Sequence, residues 1–257
     1  MSYQVGYQPT VDTESQSQEA SVTKEGTQTV YRTNTPGGHV TNDDLIAIGA
    51  GHRKIANPLP LGAMSFGTTT LILSLYNVGA AGVTVPNAIV TYSLFYGGMV
   101  QYCSGLWEFA SGNTLGATIF CIYGLFWWGF SFLFIPFFGI TGTYNGVANT
   151  YTEAGGYASE LNSAIGLFLW CWFGITTTLL IASARASITL IVLLALLDIT
   201  FGLLGGFYYT MNPHLQVAGG ATGIATAIAA FYLASASLFT PTTSYFTLPV
   251  GSLAVKD

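Results

Sequence analysis

Apolar residues in this chain come in runs too long for the alternating face of a strand or the single stripe of a surface helix. Six such runs follow one another, near 59–80, 86–108, 114–138, 160–181, 187–209 and 215–238. Gly, Pro, Asn or a charged residue punctuates the joins. A helix needs about 20 residues to cross a hydrocarbon core about 30 Å thick, and each run meets that length. A membrane β-barrel would show alternating segments of about 10 residues with polar inward positions, and these runs are too continuous for one. The pattern predicts an all-α integral membrane protein with six transmembrane helices.

The first 50 residues break the pattern. They are rich in Ser, Thr, Gln and Gly and poor in large apolar groups. Such a segment cannot bury enough surface to offset its chain entropy. The expected organisation is therefore a disordered polar tail over 1–50 and a six-helix transmembrane domain over 51–257. The tail lacks a short apolar core behind basic residues, so it does not read as a signal peptide. The first span is expected to act as its own insertion signal.

Charge sharpens this reading. Between Lys54 and Lys256 the one basic residue is Arg185, and the acidic ones are Glu108, Glu153, Glu160 and Asp198. Over the whole chain 7% of residues are charged, against about 25% in a soluble domain. With six spans, Arg53 and Lys54, Arg185, and Lys256 all fall on one side of the membrane. The opposite loops, near 81–85, 139–159 and 210–214, carry no Lys or Arg. The positive-inside rule then predicts that both termini are cytoplasmic.

Several function classes drop out. The chain has no basic patch for nucleic acid. It has no HExxH, no GxSxG and no paired aspartates in facing spans, so no enzyme is expected. Cys103, Cys121 and Cys171 fall inside spans and read as small buried hydrophobes, not as a disulfide framework or metal site. No cofactor or metal is expected.

Polar residues inside spans carry more information, because burying them unpaired costs free energy. Thr70 and Asn77 share a helical face with Phe66. Gln101, Gly105 and Glu108 share another, and Asp198 lies one turn beyond Leu194. The third span carries Asn113, Thr114, Thr118 and Tyr123. Such stripes are either interhelical glue or the wall of a water-accessible route. Glu108 also reads as a helix-end carboxylate reaching toward interfacial water, and Asp198 as a carboxylate bonded to hydroxyls of a neighbouring helix. Arg185 reads as a topology anchor and His214 as a solvated loop residue. Glycines at helix-contact spacing, such as Gly219 and Gly223, predict a tightly packed bundle. The stretch Phe66-Gly67-Thr68-Thr69-Thr70-Leu71 is echoed in Phe173-Gly174-Ile175-Thr176-Thr177-Thr178-Leu179, as an inverted three-plus-three repeat would produce.

The hexad Asn57-Pro58-Leu59-Pro60-Leu61-Gly62 opens the first span. A longer block follows: Tyr96-Gly97-Gly98, Gln101, Gly105, Trp107-Glu108, Gly112-Asn113-Thr114, Gly116-Ala117-Thr118, then Tyr123-Gly124 and Phe126-Trp127. With the ending Thr240-Pro241 through Tyr245-Phe246-Thr247-Leu248-Pro249, these motifs resemble the acetate uptake transporter family. That family includes bacterial acetate–succinate permeases and fungal acetate transporters. The likeness runs from about Asn57 to the C-terminus. It implies a six-helix fold assembled as a homo-hexamer, with a narrow route for small carboxylates in each subunit. It also implies a constriction at Phe66, Tyr123 and Leu194. Leu59 and Ala63 depart from the pattern of many members.

A depth count bears on that constriction. Phe66 follows Asn57 by nine residues, Tyr123 follows Asn113 by ten, and Leu194 follows Arg185 by nine. At about 1.5 Å per residue each lies about 13–15 Å inside, at one level. Spacing alone favours three ordinary core residues, and it is the resemblance that favours a ring.

The expected function is transport of acetate and other small carboxylates across the plasma membrane, coupled to protons. The spans carry no Lys or Arg well inside, so neutral groups must bind the anion. Asn57, Thr70, Asn77, Gln101, Asn113 and Thr118 are the candidates, with the Tyr123 hydroxyl. Helix N-termini near Asn57 and Asn113 would add partial positive charge. Glu108 and Asp198 are the candidate proton carriers. Membrane lipids, protons and carboxylates are the expected partners. The alternatives are a passive acetate-selective anion channel, an ammonium exporter, or a membrane sensor whose Ser/Thr-rich tail signals.

Overall fold

Proline and asparagine set the start of the bundle. In the computed structural model, which describes residues 55–83, 85–140 and 157–254, the first helix, α1, spans Leu59–Asn77. Asn57 Oδ1 accepts from the Leu59 N–H at 3.1 Å, and the Pro58 carbonyl accepts from Gly62 N at 3.2 Å. Pro60 sits in the first turn, where its missing N–H has no intrahelical partner to lose. The tail expected over 1–50 lies outside the described residues, as do Arg53, Lys54, Glu153 and Lys256.

The second span is a composite, which we number α2. A 3-10 turn at Pro86–Ala88 leads into Ile89–Thr91, a π-helical stretch at Tyr92–Val100, and an α-helical half at Gln101–Ala110. A nine-residue π stretch is long for a form that normally occurs as a single widened turn. Close packing accompanies it. A Cβ on Gly97 would meet Thr69 and Trp127 at 2.8 Å, and the Trp128 indole donates to the Leu94 carbonyl at 2.8 Å. Among the described residues, five other helices are long and apolar enough to cross a membrane; α2 supplies the sixth crossing in pieces.

Helix α3 runs Thr114–Phe132, short of the 138 expected from hydropathy. Pro136 explains the early end: it disfavours helical geometry at the residue before it, and Ile135 is extended at φ −90°, ψ 112°. Helices α4 (Tyr157–Ala182), α5 (Ile188–Thr210) and α6 (Pro213–Leu238) follow. Ser187 caps α5 by accepting from Leu190 N, and Asn212 caps α6 by accepting from His214 N.

The helices follow one another around a ring. Helix α1 packs on α2 and on α6, α2 on α3, α4 on α5, and α5 on α6. Small residues let α1 and α6 approach: a Cβ on Gly67 would meet Ala230 at 3.2 Å, and one on Gly220 would meet the Ser74 carbonyl at 2.9 Å. Helices α3 and α4 meet through aromatic side chains. Phe126 stacks on Phe168 at 5.7 Å, and Tyr123 lies 6.0 Å from Trp172. Large apolar residues such as Phe95, Leu106, Leu167, Ile181, Ile199 and Ile228 point outward, as a lipid-facing surface requires. Cys103 and Cys171 share that outer surface, which corrects the expectation that they are buried in the protein. Their helices turn these positions outward instead.

After α6 the chain folds back as a strap over residues 239–253. The Ile188 N–H donates to the Gly251 carbonyl at 2.9 Å and Thr189 N–H to Val250 at 3.2 Å, while Leu253 N–H donates to Ala186 at 3.1 Å. Tyr232 holds the strap's other side, donating to the Pro249 carbonyl at 2.7 Å. Gly251 turns at φ +65°, and a side chain there would also strike Ile188. The strap thereby occupies backbone donors at the start of α5 that a helix leaves unmatched.

Candidate functional site

Helices α1, α3 and α5 all begin at one end of the bundle, and a cavity of about 280 Å³ opens among their first turns. Leu59, Asn113 and Ser187 from those starts line it, together with Gln101 from α2 and Val250 from the strap. This is the near cavity. A second, far cavity of about 90 Å³ lies among the last turns of α1, α3 and α5. Its wall is largely aromatic: Phe126, Trp127, Phe130, Phe134, Phe201 and Tyr208 contribute. Phe66 and Tyr123 line both cavities. They stand between them with ring centroids 5.8 Å apart.

The septum is firmly held. Tyr123 is 1% exposed. Its hydroxyl lies 2.9 Å from Thr176 Oγ on α4, and its ring packs on Trp172. On the α5 side, Leu193 lines the near cavity and Leu197 the far one. Leu194 between them is 0% exposed and lines neither.

Polar atoms mark both cavities. Gln101 is fully buried in the near cavity wall, and both ends of its amide lack a hydrogen-bond partner among the described residues. In the far cavity, Thr70 Oγ and Trp127 Nε1 are likewise buried and unpartnered. Native proteins rarely leave such groups unmatched, so each points to water or a polar solute. Asn77 from α1 and Gln216 from α6 add amides at the far mouth.

The candidate residues therefore divide. Phe66, Thr70, Asn77, Gln101, Asn113 and Tyr123 line the cavities. Asn57 is exposed and spends its side chain on the start of α1. Thr118 donates to the Thr114 carbonyl one turn back and lines neither cavity. Glu108 is 2% exposed and stands behind the near cavity; its Oε2 accepts from Asn113 Nδ2 at 2.7 Å. Asn113 Oδ1 in turn accepts from Gly116 N at 3.1 Å, capping α3. Asp198 accepts from Thr177 Oγ at 3.1 Å on the α4–α5 contact and lines neither cavity. That matches its plainer reading as a carboxylate bonded to a neighbouring helix's hydroxyl.

Thr176, as the partner of the Tyr123 hydroxyl, and the Trp127 indole N–H, as a donor in the far cavity wall, escaped the sequence reading. Trp127 lay inside the quoted Phe126-Trp127 motif, where its bulk drew attention away from its single donor. Thr176 lay inside the Thr-rich echo, which gave no reason to choose one threonine over its neighbours.

A family model described as the GPR1/FUN34/yaaH family matches residues 43–255. Accumulation of dyads protein 2 of Saccharomyces cerevisiae is 38% identical over 192 residues, covering 75% of this chain and 64% of that protein. Acetate permease A of Emericella nidulans is 38% identical over 204 residues, covering 77% of this chain and 66% of that protein. The chain thus spans a little under two thirds of the length of these two relatives. The solved structure of the bacterial acetate channel SatP superimposes with a TM-score of 0.65 at 30% identity, covering 77% of this chain and 100% of that one.

Proposed function

The chain belongs to the GPR1/FUN34/yaaH family, and on that premise we propose that it carries acetate and other small carboxylates across a membrane. The observation that carries this reading is the pair of cavities meeting at Phe66 and Tyr123, each walled by buried polar atoms without partners. The printed names of the acetate permease and the acetate channel among its relatives support the substrate class.

The near cavity receives the anion. Three helix N-termini converge there, and their dipoles favour negative charge without a fixed cation. Gln101 and Asn113 supply amide donors. The Phe66–Tyr123 septum, with Leu194 packed beside it, sets the size limit, and Thr70, Trp127 and Asn77 receive the solute beyond it. The positive-inside rule turns the near cavity to the cytoplasm of a plasma-membrane protein with both termini inside. The working assembly is a homo-hexamer with one route per subunit.

Transport is coupled to protons through Glu108, which contacts the near cavity by way of Asn113. Asp198 keeps a packing role. A second reading, a passive anion channel, is favoured by one observation: neither cavity's lining includes Asp, Glu, Lys, Arg or His. Proteoliposomes separate the two. Labelled acetate, succinate and lactate are offered with and without an inward proton gradient, and current is recorded at equal pH. Gradient-driven accumulation that Glu108→Gln abolishes supports coupling. Acetate current at equal pH supports the channel. No uptake of any of the three acids would overturn both.

A further inference from the structure

Proton bookkeeping at the septum reveals more than its shape. Thr176 Oγ lies 2.8 Å from the Trp172 carbonyl, one turn back on α4, and a carbonyl only accepts. The single Thr176 proton is therefore committed there. Across the 2.9 Å contact between Tyr123 and Thr176, the phenol must then be the donor. In this arrangement Tyr123 turns only lone pairs toward any neighbouring solute, and lone pairs repel a carboxylate. For the phenol to hydrogen-bond an anion, it has to release Thr176.

We propose that Thr176 is the latch of the septum, holding the Tyr123 ring against Phe66 until a carboxylate oxygen takes its place as acceptor. This deepens the carboxylate-transport reading and rests on it. The position of Thr176 fits a residue that acts through another. It is 0% exposed and lines neither cavity, so it cannot touch the solute in this arrangement. Its bond bridges α3 and α4, the neighbours in the ring that meet through side chains. The exchange also favours the right cargo. A hydrogen bond to a carboxylate is about twice as strong as one between neutral groups, so an anion breaks the latch more readily than a neutral solute of equal size. A positioning role of this kind selects for an acceptor charge and a size at the same moment.

The test is uptake by proteoliposomes containing the full chain, using acetate, butyrate and the neutral isostere acetamide. Thr176→Val keeps the shape and deletes the acceptor. Losing one net hydrogen bond from the closed arrangement should raise its opening by about three- to tenfold, seen as a matching rise in butyrate relative to acetate. Thr176→Ser should restore the parent ratio, which a purely packing role would not produce. Tyr123→Phe removes the other end of the bond. It should raise the butyrate ratio by a similar factor and lower the preference for acetate over acetamide. The double variant should add nothing to Tyr123→Phe, because both changes delete one interaction. Should Thr176→Val fail to yield folded protein, Tyr123→Phe alone carries the test through its butyrate ratio. An unchanged butyrate ratio in Thr176→Val, or in Tyr123→Phe, overturns the latch, as does additivity of the pair. Phe66→Ala separates this from the underlying reading. If it widens the size range while the latch variants do not, the septum stands and the latch falls. If none of the three alters the size profile, the septum falls too.

Discussion

The near cavity measures about 280 Å³ and the far one about 90 Å³, yet their difference in chemistry matters more than their difference in size. The near cavity is bounded by helix starts, by Asn113 and Ser187 at caps, and by the unpartnered Gln101 amide. The far cavity is bounded by helix ends and aromatic rings, with Thr70 and Trp127 as its buried donors. Under the proposed function, the first attracts the anion and the second admits it in small portions. That proposal places attraction on one side and restriction on the other, so it assigns affinity and size selection to different residues.

The change that most directly breaks this division is removal of the septum. Phe66→Ala together with Tyr123→Ala merges the two cavities. One methylene in an apolar site is worth about 10- to 200-fold in discrimination. Butyrate uptake relative to acetate should therefore rise at least about tenfold in a liposome assay. Truncating a buried aromatic costs about 3–5 kcal/mol, so the same protein should melt at a clearly lower temperature. A folded double variant with the parental acid profile would mean that selection lies elsewhere.

Gln101→Leu sharpens the comparison on the near side. A hydrogen bond to a charged group contributes about 1.5–3 kcal/mol, so the KM for acetate should rise about tenfold or more while the maximal rate and the acid profile hold. An unchanged KM would show that the amide does not meet the anion. Trp127→Phe is the far-side counterpart. It keeps a ring and deletes the donor, and acetate uptake should fall by about three- to tenfold without a change in size range. The smallest effect is expected from Asp198→Asn. Substitutions away from a site usually stay within about 0.5 kcal/mol. Its acetate uptake should match the parent within about twofold, with and without a proton gradient, and loss of gradient response would return Asp198 to the mechanism.

The helical architecture was legible because lipid imposes a length on every apolar run, and the ends of α1, α5 and α6 fell close to the pattern. The end of α3 was misread because hydropathy does not register what Pro136 does to Ile135. The π stretch of α2 was invisible for a related reason: a widened turn keeps the same apolar content. Phe66, Thr70 and Asn77 share one face by helical period, and that face lines the far cavity. Thr118 and Asp198 were selected by residue type, but type does not say which way a helix turns. The Trp172 and Thr176 support of Tyr123 depends on two helices whose backbones do not pack together. No local pattern encodes that meeting.

The strap carries a practical consequence. Because Val250 is part of the near cavity wall and residues 249–253 are stitched to the first turn of α5 and to Tyr232, the chain's last described stretch is masonry around the doorway. Trimming it to tidy an expression clone would remove a doorpost, and a bulky fusion attached just downstream would hang over the threshold.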